Sequence, residues 1–308
     1  MLPLSWMLSL LTASLTETPA DPVGTERIYG GEPVADGEFL PVVGVYVQHA
    51  NKTELCTGTM LSPTVVLTAA HCLARLDDNS PPVNVFAGTS SSALEAQSEA
   101  LRYAIHPQYC LPDDCVDDNY DIAYIILADG MDVGTIEPIT NQHDYDRLIA
   151  AGASVTLVGY GSTESGEIGT KHKVTTAITK FSETGKEFYA GGDGKDSCHG
   201  DSGGPALVQS GGAWKLAGVL SRGYDCGQGG VYGVPFPVLC WLRDETDLDL
   251  LPGRCDQCEC LDISAPADPP ADHERGCQAA RSLPDHVAWL GGVGLLGLAR
   301  RRRARLGA

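Results

Sequence analysis

Between Ile28 and about Thr246 the chain is written in short runs of Val, Ile, Thr and Tyr, each cut off by Gly, Pro, Asn or Asp. β-Branched and aromatic residues suit a pleated surface, and the turn formers between them keep any run from growing. The runs predict strands at Val42–Gln48, Thr64–Thr68, Val83–Phe86, Arg102–Ile105, Ile122–Leu127, Ser154–Val158, Lys173–Thr179, Pro205–Val208, Trp214–Ser221 and Gly230–Val234. Only Pro237–Arg243 carries a 3.6-residue apolar period. Strands that do not alternate with helices argue against a parallel α/β sheet, and many short strands predict an all-β barrel or sandwich. The 36 glycines point the same way, because glycine weakens helix interiors.

The formal net charge of -19 argues against a general nucleic-acid binder. Five arginines, Arg300 to Arg303 and Arg305, stand in the last nine residues, so the body is more acidic than the whole chain. Residues 1–20, MLPLSWMLSLLTASLTETPA, fit the apolar region and small-residue cleavage site of a signal peptide, although no Lys or Arg precedes the apolar run. A buried N-terminal helix is the alternative. Residues 21–27 would then be a short propeptide, and residues 247–282 an extended spacer rich in Pro, acidic residues and Cys. In residues 283–308 the apolar run Val287–Ala299 would span ~20 Å as a helix, short of a ~30 Å hydrocarbon core, and the Arg cluster follows at once. That predicts a sorting tail with transient membrane contact, its arginines held on the cytoplasmic side. With Gly276-Cys277 upstream, it resembles the C-terminal sorting tag of myxobacterial surface proteins.

Three segments carry chemistry. In Leu67-Thr-Ala-Ala-His-Cys72, small residues let a strand turn tightly into His71. In Asp118-Asn-Tyr-Asp-Ile-Ala-Tyr124, Asp121 stands at the entrance to an apolar strand. In Gly194-Lys-Asp-Ser-Cys-His-Gly-Asp-Ser-Gly-Gly-Pro205, Ser202 is flanked by glycines that let its backbone approach a ligand closely. A lone His is usually a satisfied surface or core residue, and a lone Asp before a strand usually a turn former. The third string is longer than a turn needs.

Together the three strings, in the order His, Asp, Ser, resemble those of the trypsin-like serine proteases of the chymotrypsin fold, over about Ile28 to Leu242. The resemblance implies two six-stranded antiparallel β-barrels with the active site in the cleft between them. It implies Ser202 as nucleophile, His71 as general base and acid, and Asp121 as the group that orients and stabilises the imidazolium, the roles of the worked Ser-His-Asp template. The peptide N–H groups of Gly200 and Ser202 would form the oxyanion hole. Cleavage between Arg27 and Ile28, ahead of Tyr29-Gly30-Gly31, would free an α-ammonium to pair with Asp201, so the uncleaved chain is expected to be a zymogen. Asp196 would lie at the bottom of the primary specificity pocket and select Arg or Lys, Gly223 and Gly230 would form its walls, and Ser221 and Gly223 would bond the substrate backbone.

Arg222 departs from the family, which usually has Trp there; it is expected to alter the neighbouring apolar subsite and to repel basic residues. His199 stands where the family often has Gln, and Gly161 to Gly194 contains no Cys.

The chain has 11 cysteines, an odd number. The resemblance pairs Cys56 with Cys72 and Cys198 with Cys226. Cys110 and Cys115 are spaced to close a small loop. Cys240, Cys255, Cys258 and Cys260 leave three pairings open; a zinc site made by the Cys255, Cys258 and Cys260 run with His273 is the lesser alternative. Cys277 is left over and is expected to be a sorting or attachment residue. The acidic run Asp113, Asp114, Asp117 and Asp118 reads as a solvated loop, open to weak calcium binding. No cofactor and no catalytic metal are expected. The leading reading is an exported endopeptidase whose partners are protein or peptide substrates with Arg or Lys, an activating protease, and export and sorting machinery. The alternatives are a catalytically weak, protease-like binding module at the cell surface, and a surface anchor.

Overall fold

A computed structural model describes residues 28–49, 52–76, 82–111, 115, 118–253, 255 and 260–263. In chain order these residues form β1 (Glu32–Pro33), β2 (Val42–Gln48), β3 (Thr53–Met60), β4 (Val65–Thr68), α1 (Ala70–Leu73), β5 (Asn84–Ser90), β6 (Ala93–Ile105) and β7 (Ala123–Leu127). These strands, apart from β1, close an antiparallel barrel in the order β2-β3-β4-β7-β6-β5. There follow α2 (Gln142–Leu148), β8 (Ser154–Gly159), β9 (His172–Phe181), β10 (Glu187–Ala190), β11 (Pro205–Ser210), β12 (Ala213–Gly223) and β13 (Gly230–Gly233). They run in the order β9-β10-β13-β12-β11-β8, and β8 pairs back onto β9. That closes a second six-stranded antiparallel barrel, with β1 added beside β9. A 3-10 turn, Phe236–Val238, leads into α3 (Leu239–Thr246), close to the one helical period in the sequence.

The period-2 rule explains how the barrels join. In β2, Val43, Val45 and Val47 point into the first barrel's core, whereas Val42 packs with the second barrel. In β4, Val66 points into the first core, and Val65 and Leu67 face the other way. Leu67 and Tyr124 thereby share one core with Leu157, Phe188, Leu216 and Tyr232, so the interface between barrels continues the second barrel's interior.

Three strands go beyond the sequence expectations, and one is longer. β3, TELCTGTM, contains Gly58, whose missing Cβ makes room for Val66. β1 and β10 are short, at two and four residues. The Arg102–Ile105 run is only the end of β6, a 13-residue strand whose many exposed side chains hide the alternation.

The expected spacer also differs. Beyond α3 the chain returns to the second barrel: Cys255 and Leu261 are buried, and Leu248, Leu250, Leu251 and Ile263 pack partly against its core. The Asp262 N–H donates to Gln142 Oε1 at 2.7 Å, and Tyr145 Oη donates to the Ile263 carbonyl at 3.4 Å, so this segment is held on α2. Apolar residues spread one or two at a time through an acidic stretch fill the gap beside a helix without forming a recognisable run. Among the described residues no helix is long and apolar enough to cross a membrane. The first 27 residues and residues 264–308, with Cys277 and the expected tail, lie outside the described residues.

Lys171 sits in the seam between the barrels. Its N–H donates to Thr89 O, and its own carbonyl accepts from Val34. Its ammonium is 5.3 Å from the centre of the Tyr160 ring and donates to Phe39 O at 2.8 Å. Burial pushes its pKa down from the ordinary lysine value to about 7. Between pH 7 and 10 the unfolded chain therefore holds a proton on Lys171 that the folded chain has given up, so stability rises with pH across that window. Lys171→Met should flatten this dependence, which would otherwise approach an upper limit of ~1.4 kcal/mol per pH unit. Denaturant melts of both proteins between pH 7 and pH 10 read the difference directly.

Candidate active site

β4 and β7 are paired, with Thr68 opposite Ala123. The residue three past Thr68 and the residue two before Ala123 therefore emerge at the same end of the first barrel; they are His71 and Asp121. Tyr120 takes a left-handed φ of 46°, and the Ile122 N–H donates to its carbonyl at 2.7 Å. This tight turn aims Asp121 at α1. The Asp121 carboxylate is buried. Its Oδ1 accepts the His71 peptide N–H at 2.8 Å, and its Oδ2 lies 2.7 Å from His71 Nδ1. Ser221 Oγ donates to the same Oδ2 at 2.7 Å. Burial pulls the imidazole pKa down, but the hydrogen bond and charge of Asp121 outweigh it, and the pKa ends above the ordinary histidine value.

Ser202 comes to this pair from the second barrel. The Thr57 N–H donates to Ser202 O at 2.8 Å. Cys56 and Cys72 are joined, which ties Thr57's neighbour to that of His71. Cys72 Sγ lies 3.9 Å from Ser202 O and 3.8 Å from His71 Nε2. Gly203 packs against Thr68, Thr57 O and the Ala69 nitrogen, two residues before His71. Gly200 adopts a φ of 100°, and its carbonyl accepts from Thr57 Oγ1 at 2.9 Å. Among the described residues neither the Gly200 nor the Ser202 N–H has an acceptor, so two donors stand free beside a half-buried serine.

Asp196 is buried, and among the described residues no Lys or Arg pairs with it. Its Oδ1 accepts the Ser197 N–H and its Oδ2 the Gly229 N–H, each at 2.7 Å. Burial raises its pKa above the ordinary carboxylate value against the pull of these bonds. Gly223 pairs with Gly230 across β12 and β13, and Cys198 is joined to Cys226. Tyr232 Oη donates to Ser197 Oγ at 3.2 Å, bracing the residue next to Asp196.

Ile28 is buried and lines one small cavity together with Asp201. Asp201 accepts the Gly161 N–H at 2.7 Å and the Cys198 N–H at 2.9 Å. Complete burial raises its pKa to about 7. The Asp196 N–H donates to Tyr29 O at 2.9 Å, and Gly30 N–H to Glu164 Oε1 at 2.6 Å. The first residues of the described chain therefore touch the loop that carries both Asp196 and Ser202. Arg27 lies outside the described residues.

Arg222 corrects one expectation. It is not a free charge at the rim. Its guanidinium forks the buried Glu187 carboxylate at 2.6 and 2.9 Å, so the pair presents little net charge to repel a basic residue. Glu187, the first residue of a four-residue strand, gives no sign of this role in the sequence. Glu164 is likewise one of several acidic residues in an ordinary-looking loop. Asp118 accepts from Ser182 at 2.9 Å and Thr184 at 2.5 Å, which occupies both its oxygens. Asp113, Asp114 and Asp117 lie outside the described residues. Cys110 is joined to Cys115, Cys255 to Cys260, and Cys240 is disulfide-bonded. The zinc alternative thereby loses two of its donors.

The family model described as Trypsin matches residues 28–241. A protein named Trypsin from Phaedon cochleariae is 32% identical over 212 residues, 63% of this chain and 79% of that one. A CLIP domain-containing serine protease B10 from Anopheles gambiae is 30% identical over 261 residues, covering 71% of this chain and 69% of the relative. Transmembrane protease serine 5 from Homo sapiens is 30% identical over 268 residues, 77% of this chain but only 55% of the relative.

Gly203 offers a direct test of how Ser202 is positioned. Its φ is 81°, and a Cβ there would overlap Thr68 and Thr57 O. Gly203→Ala should cost on the order of 2–4 kcal/mol through overpacking and backbone strain. A melting temperature equal to that of the parent would refute the contact.

Proposed function

The chain belongs to the trypsin family of serine endopeptidases, and on that footing we propose an exported enzyme, made as a zymogen, that cuts peptide bonds after Arg or Lys. The observation that carries this specificity is Asp196, a buried carboxylate with no cation among the described residues, beside the paired glycines Gly223 and Gly230. A substrate guanidinium or ammonium would supply the missing charge, and glycine walls leave room for its long stem.

In the proposed reaction His71 Nε2 takes the Ser202 Oγ proton as that oxygen attacks the scissile carbonyl. The carbonyl oxygen becomes an anion held by the free N–H groups of Gly200 and Ser202. His71 then gives the proton to the leaving amine, which departs and leaves an acyl-enzyme on Ser202. Water, deprotonated by the same imidazole, attacks the ester, and the proton returns to Ser202. Asp121 holds the imidazolium throughout. Activation would follow cleavage after Arg27, when the Ile28 ammonium meets Asp201 and removes the burden of an unpaired buried carboxyl.

The test is ester hydrolysis after release of the segment before Ile28. An Arg ester should be cleaved faster than a Phe ester, and Ser202→Ala should abolish turnover. Asp196→Ser should lower Arg-ester kcat/KM by on the order of a hundredfold or more. Because catalysis needs neutral His71 and its pKa is raised, activity should be present at high pH and fall away below a midpoint that lies above the ordinary ~6.5. Absence of Ser202-dependent turnover would favour the protease-like binding module instead. Faster Phe cleavage would sink the role given to Asp196.

Disulfides in the described domain point to an oxidising, extracytoplasmic location. We assign Cys277 and residues 283–308 to surface sorting, supported by the apolar run and Arg cluster alone. Intact-mass measurement on exported protein should find the tail removed or Cys277 modified. A retained tail with Cys277 in an internal disulfide would refute this.

A further inference from the structure

Arg222 does more than fork Glu187. Its Nη1 also lies 3.3 Å from Ser221 Oγ, and that hydroxyl lies 2.7 Å from Asp121 Oδ2. The carboxylate can only accept, so Ser221 must spend its one proton on Asp121. Its lone pairs are left to receive the guanidinium N–H. On the other side, Glu187 Oε1 accepts the Asn119 N–H at 3.2 Å. Asn119 stands two residues before Asp121. The hydrogen bonds therefore close a ring: Asp121 to Ser221, Ser221 to Arg222, Arg222 to Glu187, and Glu187 back to the backbone that carries Asp121. Three members belong to β10 and β12 of the second barrel, and the fourth belongs to the first.

We propose that Arg222 is a positioning residue of the catalytic machinery, fixed by Glu187 and acting through Ser221 to hold the Asp121 carboxylate in place. The proposal rests on the reading of His71, Asp121 and Ser202 as catalytic. Ion pairs of this kind are poor stabilisers unless well paired, but a planar fork met by a carboxylate on one side and a hydroxyl on the other is a directional device. A hydroxyl that accepts from a cation is also a stronger donor to its own acceptor. Arg222 thus reaches Asp121 through one intervening atom, with its own hydrogen bonds going to Glu187 and Ser221 rather than to the imidazole or Ser202.

The test compares a small Arg ester, which fills only the primary pocket, with a longer peptide. Arg222→Lys keeps the charge but cannot fork Glu187 and reach Ser221 together. Its kcat on the small ester should fall about tenfold with KM nearly unchanged, the signature of lost transition-state alignment. Ser221→Ala should show a similar loss, and Arg222→Lys added to it should cost little more, because both act along one path. The double replacement Arg222→Met with Glu187→Leu removes the pair without leaving a buried charge, so it should fold, as its melting curve will show, and lose kcat alike. Unchanged kcat on the small ester, with losses confined to the longer peptide, would reduce Arg222 to a subsite wall and overturn the proposal. So would full additivity with Ser221→Ala. Ser202→Ala run alongside separates these outcomes from failure of the catalytic reading, which would show as no Ser202-dependent turnover in the parent.

Discussion

Asp201 has its carboxylate fully enclosed, with two peptide N–H groups on it and no cation among the described residues. A charge so placed is tolerated only where the surrounding chain is built around it. Gly159 and Gly161 have to be glycine, because a Cβ at either would overlap the carboxylate, and a Cβ on Gly204 would press on the Asp201 carbonyl. The bond from Cys198 fixes the loop that carries Asp196, and Ser202 is the next residue. Ile28 shares the cavity. Asp196, Ser202 and Ile28 are thus geared to one buried acid.

The barrels divide the work. The first supplies His71 and Asp121 from the paired ends of β4 and β7, where register alone brings them together. The second supplies Ser202, Asp196 and the hydroxyl of Ser221. Tyr160 spans the join, its hydroxyl donating to Gly88 O at 2.7 Å and lying 3.3 Å from Val42 O. Because the interface is an extension of one core rather than a wet cleft floor, the two halves of the site are held at a fixed separation by close packing.

How much of this was legible in the sequence depended on whether the chemistry was local. The strings around His71, Asp121 and Ser202 each carry their own turn, so they could be read before any fold was known. Strands such as β2 could be read because several successive valines are buried on both faces. β6 could not, since most of its side chains face solvent. Glu187 was invisible because nothing in a short β-run marks a carboxylate that will meet an arginine 35 residues later. Arg222 stands out in the sequence as a departure, yet its charge cannot be judged there for the same reason: the partner that neutralises it is distant in sequence. Leu261 and Ile263 were hidden within a stretch whose composition reads as solvated chain.

The docking of residues 260–263 on α2 bears on when the domain can be finished. A ribosome delivers α2 more than a hundred residues before Asp262 and Ile263, whose backbones meet Gln142 and Tyr145. Until that late segment arrives, the side of the second barrel beside α2 stays open and its apolar surface wet. Completion of this side of the second barrel therefore waits until residues 260–263 have been made, so a late stretch of backbone acts as a lock on what was made before it.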